Sequence, residues 1–129
     1  MGFSALVNDS ASSVPLLSGE RPIDLVHLAR MTLGDRGLER EVLQLFDRQA
    51  STLVVRMQEA ARTSIRAAAH TLKGSARGIG AWRVARAAEA VELAAAQDPA
   101  ELDLEAAIAR LGAAAAETRA VIADLLQAD

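Results

Sequence analysis

The sequence predicts an all-α protein, an up-and-down antiparallel four-helix bundle with an additional short N-terminal helix. Three observations predict it. Apolar residues recur at helical spacing through most of the chain, no segment alternates with a period of two, and the connections between periodic segments are short. Hydrophobic residues make up 51% of the chain but aromatics only 2%, so the core must be built from Leu, Val, Ile and many alanines. That composition favours helices, because Ala, Leu, Arg and Glu are strong helix formers. At 129 residues the chain has the size of one domain and is long enough to bury a core without covalent staples.

Taken in order, residues 1–21 read as a flexible N-terminal arm, Ser-rich and without a sustained period, and residues 22–129 as the helical domain. Pro22 suits the first turn of an opening helix, PIDLVHLARMTL, which Gly34 can end in the left-handed conformation. On the second helix Leu38, Val42, Leu45, Phe46, Leu53, Met57 and Ala60 fall on one face, the mark of a buried stripe. Gln49 interrupts that stripe, so its amide needs a partner, a neighbouring helix or a water, unless it serves a nearby site. Thr63 or Ser64 is placed to cap a third helix that stops near Gly78 and Gly80. The fourth turns Val84, Ala87, Ala88, Val91, Ala94 and Ala95 inward and is broken by Asp98-Pro99. The fifth, roughly 102–127, repeats the pattern with Leu104, Ala107, Ile108, Leu111, Ala114, Ala115, Val121 and Leu125.

Several function classes are disfavoured at once. The absence of cysteine rules out disulfides and thiolate metal sites, and two histidines, His27 and His70, make a histidine metal cluster improbable. No cofactor is expected on this chain. A net charge of −3 argues against a nucleic-acid partner, as does the shortage of aromatics for stacking on bases. No apolar run is long enough to span a bilayer, no basic-then-apolar signal peptide is present, and MGFSAL lacks the hydroxyl residue of a myristoylation signal. The expectation is a soluble, cytoplasmic monomer that binds no membrane.

The stretch AHTLKGSARGIG, residues 69–80, carries the chemistry. A helix turns by about 100° per residue, which puts Ile65, Leu72 and Ile79 opposite His70, with Ala68 and Ser75 beside them. That is the buried face. Arg66, Lys73, Gly74 and Arg77 fall on the side of His70, so the histidine faces water among cations. His27 reads as an ordinary surface or satisfied-core histidine. His70 differs because Gly74 sits one turn away in an alanine-rich helix, where glycine costs about 1 kcal/mol against alanine. Omitting a side chain there leaves room for a partner's backbone or for a bulky group on the ring. A neutral imidazole is nucleophilic near neutral pH, and nearby cations offset charge on phosphoryl oxygens. No acidic residue follows His70 directly to act as a base, and no glycine-rich nucleotide loop exists, so the chain is fit to carry a phosphoryl group but not to take one from ATP.

With AHTLKGSARGIGA (residues 69–81), LFDRQ on the second helix and AAEAVE on the fourth, the sequence resembles the histidine phosphotransfer (HPt) domain family of bacterial multistep phosphorelays over about residues 22–127. The resemblance implies that His70 is phosphorylated, that Lys73 assists and that Gly74 gives access. It also implies that donor and acceptor are aspartates of receiver domains, in response regulators and hybrid kinases, which bring the Mg²⁺ with them. Arg77 stands where glycine is common in the family, adding a charge that can tune partner choice, and Gly78 holds the usual small position. Arg66, Arg77, Gly78 and Trp82 are the candidate partner-binding residues, Trp82 either covering the bundle end or making an apolar contact near the docking surface. Two rivals remain. The chain can be a module of a larger hybrid or chemotaxis-type kinase, although the initial Met and polar arm favour a free-standing protein. It can also be a helical adaptor without phosphoryl chemistry, which leaves Gly74 beside an exposed histidine unexplained.

Overall fold

The computed structural model describes residues 21–59, 61–97 and 103–128. Helices α1 (Leu25–Met31), α2 (Arg36–Met57), α3 (Arg62–Ile79), α4 (Trp82–Ala95) and α5 (Leu104–Gln127) follow one another, and no strand occurs among the described residues. α2 packs on α3, α3 on α4, α4 on α5, and α5 closes the ring on α2. α1 packs against α3. The expected arm, apart from Arg21, and the Asp98-Pro99 break lie outside the described residues.

The core is aliphatic, as the composition requires. Ile23, Met57, Leu72, Val84, Val91, Leu111 and Ile122 are its fully enclosed larger apolar side chains among the described residues. Burying each stabilises the fold by about 1.5–3 kcal/mol before entropy is counted. Between them Ala50, Ala69, Ala76, Ala88 and Ala94 are fully buried. These alanines keep facing helices close, which is what lets a short side chain on one helix reach a partner on the next.

α2 corrects the expected stripe. Its buried residues are Leu43, Phe46, Ala50, Leu53 and Met57, a clean three-four-three-four spacing. Leu45 and Leu38, expected inside, are 58% and 39% exposed. They lie about 100° away from that line, because a stripe wide enough for every apolar residue of α2 exceeds what two neighbouring helices cover. Gln49 is half-buried at the stripe's edge, in a groove with Val42, Leu45, Phe46, Ser75 and Ile79. Ala60 is outside the described residues. On α5 the buried set gains Thr118 and Ile122, while Leu104, Ile108, Ala114, Val121 and Leu125 are half-buried.

The caps differ in part from expectation. α1 starts after Asp24 rather than at Pro22, and Asp24 accepts the backbone N–H of His27 at 3.1 Å. Asp35 and Asp103 cap α2 and α5 in the same way. α3 begins two or three residues earlier than Thr63 or Ser64 would set it: Ala61 is its N-cap and makes no side-chain cap bond. Its first residue, Arg62, donates instead to the carbonyls of Ala94 and Gln97 at the end of α4. A cation there meets the partly negative carbonyl end of α4.

Two left-handed residues, Leu33 and Gly34, turn the chain from α1 into α2. A third, Gly80 at φ 82°, ends α3, and Ala81 N–H donates to Ala76 O at 2.8 Å across the turn. At Gly80 a Cβ would stand 2.9 Å from both the Cβ and the carbonyl oxygen of Asp24. Gly80→Ala is therefore expected to destabilise the fold by about 1–3 kcal/mol, from positive φ and the crowded seam together. Chemical denaturation with an unchanged midpoint would show that the seam between α1 and α3 yields freely.

Candidate functional site

α3 presents the residues of the expected site as its spacing dictates. Ile65, Ala68, Ala69, Leu72, Ala76 and Ile79 are buried, while His70, Arg66, Gly74 and Arg77 are exposed. The His70 side chain is 68% exposed. An added Cβ at Gly74 or Gly78 would meet nothing within 4 Å. These two glycines, four residues apart, leave an open trough running from His70 towards the end of α3.

The surroundings of His70 are not the cationic field that α3 alone suggests. His70 Nδ1 lies 2.9 Å from Glu92 Oε2 on α4. A carboxylate only accepts, so Nδ1 carries the proton and donates, and in the neutral ring Nε2 has its lone pair available towards solvent. Lys73 Nζ meets the other oxygen, Glu92 Oε1, at 2.7 Å. Only 14% of the Lys73 side chain and 18% of that of Glu92 are exposed. The Lys73 ammonium first, and the His70 hydrogen bond after it, hold the Glu92 carboxyl below the usual carboxylate range against the opposing effect of burial. Glu92 thus joins the histidine to the lysine and α3 to α4.

Glu92 was missed as a site residue. It stands in the string AAEAVE, but nothing local marks it, because its partner is 22 residues away on another helix. The available signal was topological: antiparallel packing across a short turn brings the end of α4 beside the middle of α3. Arg77, expected on the stripe of His70, leans instead towards Glu89 of α4, with Nη2 4.0 Å from Oε1 and both side chains about half exposed. Arg66 is exposed one turn before His70. The site is therefore lopsided, acidic on the α4 side through Glu89 and Glu92. The groove between α2 and α3, where Leu45 and Gln49 border Ser75, is lined by uncharged residues.

Trp82 and His27 lie past the end of α3, beside the trough rather than in it. Trp82 is half-buried, its indole N–H donating to Asp24 Oδ2 at 2.9 Å and its ring centred 4.8 Å from that of His27. The indole N–H, and the backbone N–H of His27 after it, hold the Asp24 carboxyl below its ordinary value. Trp82 thus packs against His27 and Asp24 at the start of α4. Among the described residues no group of three or more His, Asp or Glu is placed to hold a metal ion, and no helix is long and apolar enough to cross a membrane.

Comparison with known families matches the model of the Hpt domain over residues 41–128. Neither the comparison with curated proteins nor that with solved structures yields a match. The matched span takes in most of α2 and all of α3, α4 and α5, and so both halves of the His70–Glu92–Lys73 arrangement. The match covers more than half of the chain, and the chain belongs to the Hpt domain family, the histidine phosphotransfer modules of phosphorelays.

Proposed function

We propose that His70 accepts a phosphoryl group from the aspartyl phosphate of one receiver domain and passes it to the aspartate of another. The observation that carries this reading is the ring of His70: one nitrogen held by Glu92, the other free and exposed beside Gly74. The Nε2 lone pair attacks phosphorus, an N–P bond forms, and the P–O bond to the donor carboxylate breaks. The Nδ1 proton stays on the ring throughout. The positive charge that the ring gains is offset by the Glu92 carboxylate that Nδ1–H already faces. In the forward step an acceptor carboxylate attacks phosphorus, the N–P bond breaks, and the ring returns to its starting tautomer. The Mg²⁺ of the reaction belongs to the receiver, and it shields the phosphoryl oxygens there.

Each further residue has a role in this reading. Lys73 keeps Glu92 charged and aimed at Nδ1, and so acts on His70 through Glu92 before any direct contact with the phosphoryl group. The trough over Gly74 and Gly78 admits the receiver's acidic pocket. Glu89 and Glu92 repel such a pocket from the α4 side. Arg66 and Arg77 attract it from above and below His70 along α3. An adaptor function without phosphoryl chemistry leaves the fixed tautomer and the open ring edge without use.

Incubation with a phosphorylated receiver should place an acid-labile, base-stable label on His70. His70→Gln should abolish it with helical circular dichroism intact. Label on His27 would defeat the assignment. Gly74→Gln should lower transfer without loss of stability, and Gly74→Ala should raise stability by up to about 1 kcal/mol, since nothing packs over Gly74.

Glu92 yields a separate expectation. Glu92→Ala should lower the transfer rate at saturating receiver by about tenfold or more, the size of a lost hydrogen bond to a charged group. Glu92→Gln, which still accepts from Nδ1–H, should retain more activity. Because the Glu92 carboxyl is depressed in the folded state, its stabilisation is fully present above the ordinary value of 4.5. It is lost as pH falls through the lowered folded value. The wild type should therefore lose stability over that acid window relative to Glu92→Gln. Parallel unfolding curves for the two proteins there would show that the bridge contributes nothing.

A further inference from the structure

α3 ends under conditions that should fray it. Gly78 stands one residue before the end of α3, and glycine weakens a helix interior by about 0.5–1 kcal/mol against alanine. The last carbonyls of a helix also lack intrahelical donors. Here α1 supplies them. His27 Nε2 lies 2.9 Å from the carbonyl oxygen of Arg77, whereas the turn's own donor, Gly80 N–H, reaches that oxygen only at 3.4 Å. The backbone N–H of Asp24 donates to Gly80 O at 2.9 Å. Asp24 then binds the indole of Trp82, and the Trp82 ring lies against that of His27. α1 lies outside the residues that the family model matches, so this cap comes from a part of the chain that the shared pattern does not describe.

We infer that His27 is a positioning residue for partner docking, acting through the main chain of Arg77 to hold the last turn of α3 in shape. The inference rests on the receiver-docking reading above. Arg77 and Gly78 form the far end of the trough, and Arg77 carries the cation nearest to that end. Its side chain is only loosely paired with Glu89, at 4.0 Å, so the head of the residue is free to meet a partner while its carbonyl is held. A carbonyl oxygen only accepts, which fixes His27 as the Nε2–H tautomer. The two histidines of the chain are thus held in opposite tautomers, His27 with its proton on Nε2 and His70 with its proton on Nδ1. His27 touches no reacting atom. Losing it should leave the chemistry at His70 alone and make each docking event order a frayed turn first.

The full chain carrying His27→Ala or His27→Gln tests this by single-turnover transfer from a phosphorylated receiver across receiver concentrations. For His27→Ala we expect the half-saturating receiver concentration to rise about three- to tenfold, the scale of one lost hydrogen bond, with the maximal rate within about twofold. Glutamine can present an N–H to the same carbonyl, so His27→Gln should recover most of the affinity. An unchanged half-saturation in His27→Ala, a fall in maximal rate instead, or a glutamine variant no better than alanine would overturn the inference. Two readouts stand apart from transfer. Long-range ¹⁵N–¹H correlation spectra of the native protein should show His27 protonated on Nε2, and the Nδ1–H pattern would overturn it. Amide exchange at Gly80 and Ala81 should quicken about tenfold in His27→Ala but not in His27→Gln, with Leu72 unaffected, and equal exchange in all three proteins would overturn it. If His70 takes no label from any receiver while these two readouts hold, the receiver-docking reading fails and the cap stands.

Discussion

The carboxylate of Glu92 is the contact on which the site depends. One oxygen takes the Nδ1 proton of His70 and the other takes the charge of Lys73. Each of the three groups needs the other two. Without Lys73 a mostly buried carboxylate would have less reason to stay ionised. Without the carboxylate the imidazole would be free to place its proton on the nitrogen that must attack. Small residues make the arrangement possible: Ala69 of α3 and Ala88 of α4 are fully buried, and buried alanines let packed helices approach closely enough for a glutamate to span the gap. A bulkier seam would leave the same three residues in the sequence and no bridge between them.

Openness and order pull against each other along α3. The trough exists because Gly74 and Gly78 present no side chain, and the same absence weakens the helix that carries His70. Opposite the trough, the helix is secured by burial of Leu72 and Ile79. Its exposed end is secured by α1, through bonds to the carbonyls of Arg77 and Gly80. A seven-residue helix, too short to be stable alone, thus has a defined use in the domain. Gly80 is the joint of this arrangement, since its left-handed turn leaves Asp24 room to approach.

What was legible in the sequence divides by the range of the cause. The exposed stripe of His70, Gly74 and Arg77 follows from the helical repeat alone, and the structure places all three on the open side of α3. The buried face of α3 and the left-handed ends at Gly34 and Gly80 are equally local. Leu38 and Leu45 defeated the same reasoning because α2 offers more apolar residues than its neighbours can cover, and only the packed bundle decides which are left out. Glu92 and Glu89 were out of reach for a related reason: an ion pair between helices is set by their relative placement, which no periodicity encodes. Asp24, the cap of α1, stayed hidden behind the local signal of Pro22, and its second bond, to an indole 58 residues away, has no local mark at all.

The seam at the end of α3 also has an optical consequence. The chain contains one tryptophan and no tyrosine, so its near-ultraviolet absorption and emission come almost entirely from Trp82. That indole sits half-buried with its N–H on the Asp24 carboxylate and an imidazole across its face. Both neighbours are groups whose charge or distance alters the excited state of an indole. The domain therefore carries an intrinsic reporter at the junction of α1, α3 and α4, and none beside His70. Its fluorescence distinguishes events that reach the bundle end from those confined to the phosphoryl-bearing ring, without any label being added.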